Sequence, residues 1–224
     1  MTKVFDDSAL NIEGLPNGFI IAFKKADNDE DERIVVAYNL VSFENQSVSP
    51  VTRNVYQLAK FGGGYKEIEQ RLNNPFYWNT VNLPGDRLLA FYPSGEYMIF
   101  DTESRMLKKG ELLCDGEGPS GMALTGTGIF ASFKEGKRVS LYNPETFIEE
   151  LYIGGKGSGF GKIESVFSEG NFLYLSDSEK GVVWRVDIRN FNVTQYAEFG
   201  EPVYQYMIIG DYTLVRLDSG VYSL

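Results

Sequence analysis

Three acidic residues offer this chain its plainest catalytic option: Glu13, Glu164 and Asp211, each in or beside a segment that reads as a strand. Two carboxylates about 5 to 10 Å apart can cleave a glycosidic bond, one as acid and the other as base or nucleophile. Other routes are closed. The chain has no histidine, which removes Ser-His-Asp and Cys-His catalysis in their usual forms and the imidazole sites for zinc, iron and copper. The single cysteine, Cys114, cannot build a thiolate metal site, and with no basic neighbour in sequence it reads as an inert thiol. The run from Gly154 to Lys162 is glycine-rich, yet it lacks the P-loop spacing and no Ser or Thr follows Lys162, so it reads as a connector. Asp27, Asp29, Glu30, Asp31 and Glu32 suggest a calcium loop, but no glycine stands at the sixth place and no acid at the twelfth. No metal and no cofactor are expected.

The elements that must carry these residues repeat. Leu83-Pro84-Gly85-Asp86-Arg87-Leu88-Leu89-Ala90-Phe91 leads into Tyr92-Pro93-Ser94-Gly95 and returns through Glu96 to Asp101. A turn, an apolar strand, a tight reversal and an alternating strand follow one another. The pattern recurs from Leu15 to Phe23, from Gly126 to Asn143, from Asn171 to Asp187 and from Ile209 to Leu224. The period is about 40 to 45 residues, the spacing of propeller blades. Alternation with period 2 and density in Tyr, Phe, Ile and Val exclude helical repeats. Only the interval from Phe23 to Phe91 is longer, which predicts an insertion in or after the first repeat.

The whole chain resembles the small β-propeller superfamily on these repeats, and its glycine-rich connectors resemble those of NHL/TolB-type repeats. The Trp-Asp and Gly-His signatures of WD40 repeats are absent. The resemblance implies an all-β, five-bladed propeller of four-stranded antiparallel blades in one domain, residues 1–224. The blades fall at about 9–63, 73–115, 121–154, 162–200 and 203–224. The last has three strands, and the N-terminal segment 3–6 is a strand without a blade, so pairing the two closes the ring and removes two open edges. Within the first blade, 54–61 is expected as the outer strand, and 66–71 as a short helical turn.

At 224 residues, 43% hydrophobic and 14% aromatic, the chain can fill the spaces between packed sheets. A lone cysteine, no apolar leader after Met1 and no long apolar run predict a soluble cytoplasmic protein. The net charge of −10 and pI near 4.6 argue against nucleic acid and anionic membranes, whose phosphates need a Lys/Arg surplus.

Without catalytic equipment, the expected function is a non-enzymatic protein–protein binding module of scaffold, inhibitor or immunity type. The alternatives are a five-bladed lectin-like module that stacks glycans on Trp78, Trp184 and tyrosines, and a glycosidase-like enzyme using the carboxylates above. Strand direction gathers the outer-to-inner connectors and the loops between second and third strands at one end. There the acids Asp27, Asp29, Glu30, Asp31, Glu32, Asp115 and Glu117 outweigh the lysines Lys134, Lys137, Lys156 and Lys162, which favours a basic protein partner. Trp78 completes the candidate binding set.

Overall fold

A computed structural model describes residues 1–5, 11–14, 19–25, 33–39, 45–47, 79–85, 87–101 and 105–224, with side chains for 1–4 and from 79 onward. Twenty strands form five four-stranded antiparallel sheets among the described residues. The first is β2 (Asn11–Gly14), β3 (Phe19–Lys25), β4 (Arg33–Asn39) and β5 (Asn45–Ser47). The second is β6 (Asn79–Leu83), β7 (Arg87–Phe91), β8 (Glu96–Phe100) and β9 (Met106–Glu111). The third is β10 (Gly121–Leu124), β11 (Ile129–Phe133), β12 (Arg138–Tyr142) and β13 (Glu149–Gly154). The fourth is β14 (Ile163–Glu169), β15 (Phe172–Asp177), β16 (Val182–Asp187) and β17 (Asn192–Glu198). In the fifth, β18 (Val203–Ile209), β19 (Tyr212–Leu217) and β20 (Gly220–Ser223) are joined by β1 (Thr2–Phe5), which pairs with β20 from Thr2↔Ser223 to Phe5↔Val221.

The first strands of successive sheets pack side by side, β6 on β10, β10 on β14, β14 on β18 and β18 on β2. Second strands are therefore covered on both faces. Leu88 to Phe91, the whole of β11 and Leu173 to Asp177 are buried, and they are mostly apolar for that reason, with Ser132, Ser176 and Asp177 as the polar exceptions. The fourth strands β9, β13 and β17 sit at sheet edges and alternate exposed with half-buried positions. Each departs from regular pairing once: register shifts lie at Ile99/Phe100, Leu141/Tyr142 and Val183/Trp184. Such bulges blunt an open edge.

The repeat at Asp101, Asn143 and Asp187 has a local cause. Each opens the turn from third to fourth strand, and its side-chain oxygen accepts a backbone N–H of Arg105, Glu145 or Arg189. An Asx side chain that bonds its own backbone a few residues on is a standard turn nucleus. In two of these turns a phenylalanine ends in the left-handed region, Phe147 at φ 61 and Phe191 at φ 57.

Two expectations change. The fourth strand of the first sheet is β5, Asn45–Ser47, while 54–61 and 66–71 lie outside the described residues. The β13 strand begins at Glu149 and not at Phe147. Phe147 instead leaves the sheet and stacks on Tyr97 of the preceding one, centroids 4.7 Å apart and planes 10° from parallel.

Candidate functional site

One end of the sheets gathers the connectors into first strands and the loops between second and third strands. Backbone hydrogen bonds join the two sets. Leu112 N donates to Gly95 O at 2.8 Å, Gly155 N to Lys137 O at 2.8 Å, and Phe199 N to Gly181 O at 2.9 Å. This one bond, repeated in three sheets, ties the exit of each fourth strand to its own sheet's hairpin. Where the second sheet meets the next connector, Gly118 lies on Pro93 O and the backbone of Gly95, with no room for a Cβ.

Carboxylates make the second set of ties. Glu117 accepts the backbone N–H of Glu135 at 2.9 Å and of Gly136 at 3.1 Å. Glu201 accepts the N–H and Oγ of Ser219 at 2.9 and 2.7 Å. In the fourth sheet the carboxylate belongs to the strand: Asp177, 0% exposed, accepts Gly161 N at 2.7 Å, Lys180 N at 3.0 Å, Glu179 N at 3.1 Å and Trp184 Nε1 at 2.9 Å. A buried carboxylate is tolerable when its lone pairs are filled by donors in this way.

The four lysines that the sequence places at this end are each matched to an acid. Lys134 meets Glu164 at 2.7 Å, Lys137 meets Glu179 at 2.7 Å, Lys162 meets Glu135 at 2.8 Å, and Lys156 meets Asp115 at 3.6 Å. Three of these pairs bridge the third and fourth sheets. Lys162 holds the Glu135 carboxyl below its ordinary range, and Lys137 does the same for Glu179. The charges of these four lysines are thus cancelled pair by pair.

Of the predicted binding residues, Asp115 and Glu117 share one tight loop closed by the Cys114–Glu117 bridge, with Asp115 at φ 53. Asp115 is open to solvent at its tip, whereas Glu117 is engaged by hairpin amides. Asp27, Asp29, Glu30, Asp31, Glu32 and Trp78 lie outside the described residues; only the flanking pair Lys25↔Arg33 is placed. Trp184, a candidate stacking surface, spends its indole N–H on Asp177 and packs on Phe160 at 5.6 Å.

Two of the three candidate catalytic acids, Glu164 and Asp211, stand at opposite ends of their strands. Glu164 stands at the start of β14, where it accepts Ser178 Oγ at 2.6 Å besides its lysine. Asp211 occupies the turn between β18 and β19, at the opposite end of the strands, and Glu13 is third of four residues in β2. A seven-residue strand spans about 20 Å, beyond the separation glycoside chemistry uses. Among the described residues no group of acids, histidine or cysteine could hold a metal. Cys114 is buried, and burial pushes its thiol up, away from the reactive thiolate.

Comparison with known proteins shows the fold. No family model matches the sequence, and neither does any curated protein. The WD40 β-propeller domain of Doa1 aligns at a TM-score of 0.56 with 9% identity, covering 96% of this chain and 62% of that one. The computationally designed protein Ika8 aligns at 0.52 with 9% identity over 95% of this chain and 70% of its own. Sqt1 of Saccharomyces cerevisiae aligns at 0.51 with 11% identity, over 94% and 67%. The chain has a β-propeller fold. It spans less than two thirds of the Doa1 chain.

Proposed function

We propose that the chain is a non-enzymatic protein-binding module: one five-bladed propeller over residues 1–224, its ring closed by β1 in the fifth blade. The five four-stranded sheets, the packing of first strands from β6 round to β2, and the β1–β20 pairing support this architecture. One observation carries the binding reading. The connector end is a set of loops fixed in place by Glu117, Asp177 and Glu201, so it offers a preorganised surface whose ordering cost is met before a partner arrives. The propeller likeness to a WD40 domain is in keeping with an interaction scaffold.

With Lys134, Lys137, Lys156 and Lys162 each paired, the acids expected at this end from the sequence, Asp27 to Glu32, favour a basic partner by steering. A cytoplasmic setting accords with a single free, buried cysteine. The experiment is a pull-down from native lysate, followed by association kinetics of the captured protein at low and high salt. The Asp29→Asn, Glu30→Gln, Asp31→Asn variant should associate more slowly at low salt and at the same rate at high salt. Equal rates in all four conditions would remove this end as the recognition surface.

A further inference from the structure

The opposite end of the fourth sheet carries a guanidinium in an unusual setting. Arg185 sits 5.0 Å from the Phe172 ring centroid and 5.5 Å from that of Tyr196. Register places Tyr174 beside Arg185 and Phe172 beside Asp187, so all four share the face turned toward the fifth sheet. The β-bulge at Val183/Trp184 turns Tyr196 onto this face. There it packs edge-on against Tyr174 at 5.1 Å and Tyr206 at 5.8 Å and still leaves 44% of its surface exposed.

Arg87 pairs with Glu145, Arg105 with Asp101, Arg138 with Glu149 and Arg189 with Asp187, while Arg216 lies over the Tyr204 ring at 4.8 Å. Arg185 forms no such close ion pair among the described residues, although its charge helps to lower the Asp187 carboxyl. Its natural partner would be Asp187, two residues on along the same strand face. That carboxylate is taken by Arg189 through Nε at 2.9 Å, Nη2 at 2.5 Å and the backbone N–H at 3.0 Å, which hold its carboxyl down to about 2.

A guanidinium stacked between rings is oriented through its flat faces, and its N–H fork stays free to bind in plane. The fork matches a carboxylate bidentately. We propose that Arg185, with Phe172 and Tyr196, is the anchor of a second interaction surface that takes the carboxylate of an acidic peptide segment from a partner protein. A carboxylate suits the setting better than a phosphate dianion, because Asp187 stands on the same face and the chain carries −10 overall. The surface lies away from the connector end, so both can be occupied together.

The test follows the arginine Nε–H resonances of the intact protein by NMR during titration with a capped tetraglutamate peptide, a capped tetraglutamine peptide and inorganic phosphate. Tetraglutamate should move the Arg185 signal saturably, and tetraglutamine should not. Arg185→Lys keeps the charge and the stem but loses the fork, and should weaken binding about tenfold. Arg189→Ala removes a cation 6.0 Å from the Phe172 ring centroid and frees Asp187 to pair with Arg185, so it too should weaken the peptide. An unmoved Arg185 signal, equal binding by Arg185→Lys, or a stronger response to phosphate than to tetraglutamate would each overturn the proposal.

Discussion

The junction between the second and third sheets and the junction between the third and fourth both bury apolar cores, yet they are fastened at opposite ends. The first is fastened away from the connectors. Tyr97 stacks on Phe147, Lys108 caps that ring at 5.0 Å and donates to the Glu145 and Thr146 carbonyls, and Arg87 grips Glu145. The second is fastened at the connector end by Lys134–Glu164, Lys137–Glu179 and Lys162–Glu135, above a core that includes Phe130, Val139, Val166 and Leu173. Exposed ion pairs contribute little to stability, whereas a buried aromatic stack adds to the area it removes from water. The contrast separates two tasks. Apolar contact holds neighbouring sheets together, and charge fixes where the surface loops lie.

The largest effect should come from Asp177→Ala. It leaves the Gly161 amide and the Trp184 indole without an acceptor in a dry site, which costs about 4 kcal/mol at roughly 1–3 for each orphaned donor. Urea unfolding measures it, and a loss below about 1 kcal/mol would mean that the joint is held by packing alone. Phe147→Ala should follow at about 3 kcal/mol, the usual scale for truncating a buried aromatic. A double-mutant cycle with Tyr97→Leu sharpens the comparison: additive losses would show that the two rings do not cooperate across the junction.

The smallest effect should come from replacing Lys134, Lys137 and Lys162 together by Gln. Melting should change less than for either core variant, while protease cleavage in the 134–137 and 155–162 loops rises. Acid should act in the same direction. Glu135 and Glu179 titrate lower in the fold than when free, so their contribution is present at neutral pH and fades as pH falls below the ordinary Glu value. If the triple variant keeps the wild-type dependence of loop cleavage on pH between 3 and 6, about the range over which carboxylates titrate, the ion pairs do not position the loops.

Much of the architecture was legible because it is written in period 2 and in turn chemistry. Asp101, Asn143 and Asp187 recur since each nucleates the same turn, and Leu88 to Phe91 are apolar throughout, as are Ile129 to Phe133 save Ser132, since both faces are covered. Where residues act across sheets, sequence spacing is silent. Glu117 and Asp115 look alike on paper, but only the fold shows Glu117 turned onto the Glu135 and Gly136 amides. The pairing of Lys134 and Lys137 does not show in the sequence because their partners, Glu164 and Glu179, belong to the next repeat. Phe147 reads as the first residue of a strand, and its left-handed backbone is set by the Asn143 turn before it. Arg185 was passed over as the polar phase of an alternating strand. The one sequence signal was its place two residues from Asp187, with Arg189 following.

The pairing of β1 with β20 couples the earliest and latest segments of the chain. During synthesis β1 must wait until β2 to β19 have been made before its partner β20 exists, a highly non-local contact and a slow one to form. An intermediate with β18 to β20 already folded offers β20 as an open edge that the β1 of a second molecule can fill equally well, giving an exchanged dimer from the same hydrogen bonds. At high concentration, refolding becomes a contest between a strand tethered to its own propeller and an identical strand diffusing in from another.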